Sequence, residues 1–520
     1  MTPRLAALLA DLDRADTLAG PDQARAARRA EWLTEASTPE LAEFLGELAP
    51  RAATLSAAAD RLLALSFAAV VRERRKTPVA DDEALVEAIE RLYLGLDPQF
   101  SARAQLLAWL ATGASPTQLV ALVRLLRADP PERDEDVVQA LAPLFRRRPI
   151  ASDLLFPALF DCLASPQLAA PVLDLANFLT REKLAASHPG ASRSGELIAL
   201  LGDLALTLGR LEEQPDEAGL SPVELSRRVS SSVALAVSLC DALAQIGDPA
   251  AIGKLNQVVG LAHRRLRTEA AAALAKLGDD DGVTELVRLA EQPVARLRVL
   301  AYAQDLGLLD KIEPQWRTPQ ARAESELVVW LAEPTQFGIP PTRVELFDQR
   351  RQFWPGYAAP VDCWLFRFTY VVADEAGERS YSNIGIAGPA AHALVADLSD
   401  LSPDDIYAAY AGWQAEHEDI REYDVARLSQ SEKLEVERLA RRLHDAGYEA
   451  IEPREMGYFF GEKALIALAS RQGVSGVAVA DFTEIAFFPQ RHSRRPLGPR
   501  EAYGIFKGRK LLKTFNRTGE

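Results

Sequence analysis

Cysteine, methionine and histidine are scarce in this chain of 520 residues, with three, two and six copies. Cys162, Cys240 and Cys363 are odd in number, widely spaced and without a C-x-x-C pair. No disulfide framework or local thiolate metal site is encoded, and a reducing, cytoplasmic compartment is expected. No two histidines lie closer than 25 residues, whereas the H-E-x-x-H zinc arrangement needs imidazoles four apart on one helix face. Aromatic residues make up only 7% of the chain although 48% is hydrophobic. The apolar content is therefore mostly Ala and Leu, which closely packed helices use best. No stretch of about 18 uncharged apolar residues occurs, roughly what a bilayer span needs. At the N-terminal end, MTPRLAALLADLDRADTL carries Asp11, Asp13 and Arg14 where an export signal needs unbroken apolar chain. Neither membrane insertion nor export is expected.

The net charge is −15, which argues against a surface built around nucleic acid, since phosphate binding depends on clustered Lys and Arg. The charge is uneven. From Phe487 to Glu520 there are nine Lys or Arg and two Glu, a local +7 that leaves −22 on the remainder. A basic tail follows an acidic body.

A chain of this length either splits into domains or repeats a small unit. Apolar residues recur at helical spacing from the start, and breaks fall at KTPVADD (Lys76–Asp82), ADPPERD (Ala128–Asp134), SHPGAS (Ser187–Ser192) and EQPDEAGLSP (Glu213–Pro222). These predict successive helices of about 12 to 20 residues through about residue 330. Between Ser230 and Leu309 the helices repeat. ALAQIGD (Ala242–Asp248) returns as ALAKLGD (Ala273–Asp279) after 31 residues. In the second copy Leu266, Ala270, Ala273 and Leu277 line one side of a helix, Gly278 closes it, and Val283, Leu286, Val287 and Ala290 line the next. Neither helix buries its stripe alone, so neighbouring pairs must stack.

The segment LRTEAAAALAKLGDDDGVTELVRLA, from Leu266, resembles the HEAT-like repeat also found in phycobilisome lyases, whose pattern runs V-R-x-x-A-A-x-A-L-x-x-L-G-D followed by a V-x-x-L helix. Leu297 and Arg298 restart the pattern, and AYAQDLG continues it less faithfully. The chain as a whole is also similar to bacterial HEAT-repeat proteins. The resemblance covers under a fifth of the chain and implies an α-α superhelix. It also implies that Arg267 and Arg298, at equivalent positions, serve packing between units. Asp248 and Asp279 recur beside them, and buried Arg–Asp partners would satisfy each other pairwise.

Beyond PTQFGIPPTR (Pro334–Arg343) the pattern changes to α+β. Strands are predicted at Val344–Phe347, Cys363–Val372 and Arg379–Ile386, the last two joined by a turn at DEAG (Asp374–Gly377). Helices follow at Ala390–Leu398, at Pro403–Ile420 with Ser402 as N-cap, and at Ser429–Ala446 ending at Gly447. Tyr448–Ile451 is expected as a strand, Glu462–Gln472 as a helix, and Val474–Val479 with Thr483–Phe488 as paired strands. The expected organisation is thus a helical region over 1–228, a divergent α-solenoid, then HEAT-like repeats over 229–332, then an α+β domain with a basic tail over 333–520.

Candidate chemistry is sparse. Glu416 and His417, near Trp413, are adjacent on a predicted helix and so do not face each other. No G-x-S-x-G elbow is present, and the cysteines read as packing residues. NIGIAGPAAHA, from Asn383, places Gly385 and Gly388 between a strand and a predicted helix but satisfies neither phosphate-loop spacing. No catalytic, cofactor-binding or metal residue is assigned, and no cofactor. The tail, with HSRRP from His492 and KGRKLLK from Lys507, offers Arg494, Arg495, Lys507, Arg509, Lys510 and Lys513 for contact with a partner, and Tyr503, Phe506 and Phe515 to pack or stack. Closure of this tail onto its own acidic solenoid, or a solvated surface segment, is the stronger expectation for it. The leading function is a non-catalytic scaffold for a protein partner. The alternatives are an enzyme with its site in the α+β domain or beside it, which the repeat family's links to bilin attachment and DNA base excision keep in view, and nucleic-acid contact through the tail.

Overall fold

The computed structural model describes residues 2–17, 26, 28–29, 31–76, 82–113, 115–146, 149–214, 219, 221–374, 377–415, 420–459, 461–490 and 496–517. Among these the chain is mainly helical, with nineteen α-helices and, towards its C-terminal end, eight strands in two sheets. It divides into two compact units, Met1–Leu286 and Val287–Glu520, whereas the changes of sequence character lie after residues 228 and 332.

The first unit contains α1 (Pro3–Asp13), α2 (Thr38–Leu48), α3 (Ala57–Lys76), α4 (Glu83–Gly95), α5 (Ser101–Gly113), α6 (Pro116–Ala128), α7 (Asp134–Leu141), α8 (Ser152–Leu155), α9 (Pro166–Arg181), α10 (Ser194–Glu213), α11 (Pro222–Ile246), α12 (Ile252–Val259) and α13 (Arg264–Lys276). The next helix, α14 (Asp280–Leu289), carries the division. Starts are written in the sequence: Asp82, Ser115 and Ser221 each accept a hydrogen bond from a backbone N–H of the first turn. So are ends, since Gly247 and Gly278 take left-handed φ of 78° and 83°, a conformation that costs glycine nothing. Helices pack on their second neighbours: α2 on α4 and α4 on α6; α3 on α5, α5 on α7, α7 on α9, α9 on α11 and α11 on α13. Two rows result, each covering the stripe of the other.

Helix α5 is buried on every side except at its ends, as its all-round apolar sequence requires. Its N-terminal end is answered from a distance. The Asp60 carboxylate accepts from the N–H groups of Ser101 (3.1 Å) and Ala102 (2.9 Å), and Arg103, 3% exposed, meets Asp129 Oδ2 at 2.5 Å while lying over the Tyr93 ring. Helix α11 has the length and apolarity to cross a membrane. Its Val233, Ala236, Leu239, Cys240 and Leu243 are instead part of the core against α9, α10 and α13.

A polar network also crosses this core. The N–H of Gly190 donates to His188 Nδ1 (3.0 Å), so the ring proton sits on Nε2 and is given to Asn177 Oδ1 (2.9 Å). Asn177 Nδ2 donates to the Ser238 carbonyl, and Ser238 Oγ to Asp174 Oδ1 (2.6 Å). Burial pushes the His188 pKa down to about 4, and burial likewise raises that of Asp174.

The second unit opens with α15 (Pro293–Asp305) and α16 (Pro319–Leu331), pinned by Arg296, 1% exposed. Its guanidinium donates to the carbonyls of Ala290, Glu291 and Ala321 and to Glu324 Oε2 at 2.6 Å, beneath the Trp316 ring. Then come β1 (Arg343–Gln352), β2 (Val361–Asp374), β3 (Gly377–Ala387), α17 (Pro403–Gln414), β4 (Ile420–Asp424), α18 (Gln430–Asp445), β5 (Glu449–Phe459), β6 (Glu462–Arg471), β7 (Val474–Ala480), β8 (Ile485–Pro489) and α19 (Pro499–Arg517). Strands β1–β2–β3 form one antiparallel sheet and β4 to β8, in order, the other. The layers are α16, the first sheet, the pair α17–α19, the second sheet and α18. Because α16 buries Ala323, Leu327 and Leu331 against Phe366 and Phe368 of β2, it belongs to this unit, which is why the structural division precedes residue 332.

The middle pair is held by small residues. A Cβ on Gly508 would stand 1.8 Å from the Ala408 carbonyl oxygen, and one on Gly412 would stand 2.0 Å from that of Gly504. Gly412 and Gly508 thus let two helix backbones touch, at Gly504 and Ala408 respectively.

Three elements differ from expectation. Ala390–Leu398 is not helical, because its backbone is taken by others: His392 pairs with Ile386 of β3, and the buried Asn383 side chain binds the carbonyls of Leu394 and Ala396 and the N–H of Leu398. Glu462–Gln472 is not a helix but carries the central strand β6. Ala464 and Ile466 face α17 and α19 while Leu465, Ala467 and Ala469 face α18, and burial on both faces produces an apolar run that imitates a helix. The helix from Pro403 stops at Gln414; Ile420 begins β4, and 416–419 lie outside the described residues. The hairpin of β2 and β3, the helix capped by Ser429, and the pair β7–β8 stand where they were expected.

Two outcomes follow. Gly508→Ala should lower the thermal midpoint of the second unit, at a cost of about 1–3 kcal/mol for the forced backbone shift. Gly504→Ala, whose Cβ meets nothing within 4 Å, should be neutral or stabilising by up to about 1 kcal/mol; calorimetry that ranks the two the other way contradicts the packing. For His188, the unfolded chain binds the extra proton below about pH 6.5 and the folded chain only near 4. Its contribution is full above the unfolded pKa and is lost as pH falls through that window, at up to about 1.4 kcal/mol per pH unit. His188→Gln should flatten urea-derived stability against pH over this range, and parallel curves for parent and variant would refute it.

Candidate functional site

The cations proposed for partner contact divide into two groups. Arg494 and Arg495, with His492, lie outside the described residues. Lys507, Arg509, Lys510 and Lys513 ride on α19, a helix whose Tyr503 and Phe506 are buried. Lys507 is 2% exposed, with Nζ over the Tyr503 ring. Arg509 donates through Nε (2.7 Å) and Nη2 (2.5 Å) to Asp405 of α17 and covers Phe488. Lys510 reaches Glu462 (2.5 Å) and Asp481, and Lys513 lies 3.5 Å from Glu484. Phe515 is partly exposed. Among the described residues, Arg509, Lys510 and Lys513 therefore meet carboxylates of their own α+β region. The carboxylates pull the Lys510 pKa up against its burial.

The remaining sequence candidates do not converge. Glu416 and His417 lie outside the described residues. Trp413 stacks on His392 at 3.8 Å, with Trp330 at 4.8 Å edge-on, and burial pushes His392 down to about 4. Cys162, Cys240 and Cys363 are buried and unpaired. Burial raises all three thiols, Cys363 to about 12, which is opposite to what a nucleophile needs. Gly388 forms a turn against the Asp362 carbonyl and Gly385 packs on Leu327. Arg267 pairs with Glu285 at 2.9 Å, while Asp248 and Asp279 cap the following turns through the N–H groups of Ala250 and Gly282. Arg267, Asp248 and Asp279 therefore serve different contacts. Among the described residues no group of three His, Cys, Asp or Glu is disposed to hold a metal.

Two adjoining grooves in the first unit are better candidates. One, of about 860 Å³, lies between α6 and the segment from Leu154 to Ser165. Its charges are satisfied internally: Arg127 and Arg193 both hold Asp161 (2.9 and 2.7 Å), and Arg124 holds Glu90 (2.9 Å). The other, of about 830 Å³, runs from the first turn of α7 over the start of α9 to α11. Helix α9 packs on both α7 and α11, so it forms the floor, with Leu163, Ala164, Pro166, Ala169, Leu204 and Leu235. Glu132, Asp134 and Glu135 stand on the α7 side; Arg227, Arg228, Ser231 and Ser232 stand on the α11 side. Arg133 is committed to Asp136 and Ser101, and Glu224 to Ser221. Among the described residues the side chains of Asp134, Glu135, Arg227 and Arg228 make neither hydrogen bond nor ion pair. The groove thus has an apolar floor and two walls of opposite charge. Sequence reading passed it over because PPERDED and LSRRVSSS registered only as a helix break and a helix; the signal was two short charge clusters about 90 residues apart, which only the α7–α9–α11 packing brings together.

Replacing Lys510 with Met should cost about 3 kcal/mol, since Asp481 is left buried without its cation. Lys513→Met, at an exposed pair, should cost under about 0.5 kcal/mol. Equal midpoints in urea for the two variants would show that α19 is not held by these charges.

No protein-family model matches the chain, and neither a curated protein nor a solved structure matches it significantly.

Proposed function

We propose that this chain is a non-catalytic, cytoplasmic scaffold that binds a protein partner on the surface of a HEAT-like α-solenoid. The observation that carries the reading is the second-neighbour packing from α2 to α13. Successive units that touch only their neighbours make a long surface with grooves between them, and such a surface recognises by area. The heptapeptide recurrence, with its left-handed Gly247 and Gly278, supports extending the repeat reading across this region. Three buried, unpaired thiols suit a reducing compartment. The reading of the tail as a nucleic-acid contact draws less support, because Arg509, Lys510 and Lys513 each face a carboxylate. An enzyme in the α+β region would need an activated group, and the three thiols there and elsewhere are shifted away from reactivity.

The affinity-tagged chain, isolated from cells of its source at physiological salt, should retain one protein at fixed stoichiometry through gel filtration. The purified pair should re-form the complex in sedimentation velocity. A chain that elutes alone, even after crosslinking in the cell, contradicts the scaffold reading.

A further inference from the structure

The groove between α7 and α11 has a chemistry specific enough to name its occupant, on the footing that the helical unit is a partner-binding scaffold. We propose that it receives an extended polypeptide segment with divided charge, acidic at the end that meets Arg227 and Arg228, basic at the end that meets Asp134 and Glu135, with small apolar side chains between them.

Each part of the groove excludes other occupants. Arg227 and Arg228 project from the exposed side of α11, and among the described residues neither makes a salt bridge. Asp134 and Glu135 occupy the first turn of α7, where negative charge lies favourably against the positive end of the helix dipole. A polyanion such as nucleic acid would gain two arginines but meet Glu132, Asp134, Glu135 and Glu224 along the same groove, a like-charge juxtaposition that costs more than it returns. A uniformly basic segment fails at the other wall for the same reason. Only a ligand carrying both signs answers all four groups, and their separation across the breadth of α9 requires a chain several residues long. The floor of Leu, Ala and Pro side chains gives apolar area, and Ser231, Ser232 and Gln167 offer hydroxyl and amide groups to a passing backbone. Opposite charges on opposite walls also fix the direction in which the segment lies, which gives specificity beyond area alone.

The test uses the full-length chain and four fluorescein-labelled decapeptides, with two glutamates at the N-terminal end and two lysines at the C-terminal end, the reverse, glutamates at both ends, and lysines at both ends, all with the same Ala, Leu and Ser centre. Fluorescence anisotropy should show one of the two mixed peptides binding at least about tenfold more tightly than either single-sign peptide, a gap of about 1.4 kcal/mol. R227E with R228E should abolish that preference and improve the all-lysine peptide, with unchanged circular dichroism, since both side chains are exposed. Tighter binding of the all-glutamate peptide, displacement by single-stranded oligonucleotide, or no saturable binding below about 1 mM for any peptide would overturn the proposal. The two readings fail separately. A purified partner complex that survives the double substitution removes the groove as its seat and leaves the scaffold standing, while the absence of any complex removes the scaffold whatever the peptides do.

Discussion

A helix of ten to twenty residues with one apolar flank gains little from its own hydrogen bonds in water and becomes stable when another helix covers that flank. In the first unit this constraint sets everything else. Each helix from α2 to α13 reaches past its sequence neighbour to the next but one, so the apolar stripes are covered in series. Helix α5, enclosed on nearly all sides, is the limiting case, and its N-terminal end survives burial because Asp60 and the Arg103–Asp129 pair supply what the core does not. The same regularity leaves the grooves. Where α9 lies between α7 and α11, the two outer helices lift their charged first turns and faces above an apolar floor.

The second unit answers burial differently. Two sheets each need cover on both faces, and the shared layer is the α17–α19 pair, brought to backbone contact by Gly412 and Gly508. Charge reinforces it, since Arg509 bridges to Asp405 of the partner helix and Lys510 to Asp481 beside β7. A segment with net positive charge is therefore a structural member of its unit. Its cations give the helix a place among acidic neighbours before they offer anything to a partner.

Much of this was legible in the residues where the signal is local. The cap at Ser402, the helix start at Ser429, the glycine stops at Gly278 and Gly447, and the β2–β3 hairpin all depend on neighbours within a few positions, and each stands where the pattern put it. What escaped depends on contacts distant in sequence. Asn383 diverts the backbone of 394–398 from a helix; β6 reads as helical because two layers bury it. The small residues of α17 and α19 lie about 100 positions apart, and so do the charge clusters of the groove. Periodicity reports which face of an element is apolar but is silent on which other element will cover it.

A protein bound to this chain must touch its helical unit. Hydrogen–deuterium exchange of the full-length chain, free and saturated with a purified partner, maps that contact directly. Slower exchange in the first turn of α7 and along α11 from Glu224 to Leu235 is the result the account requires. Slowing confined to α17, α19 and the sheets, with the helical unit unchanged, would contradict it.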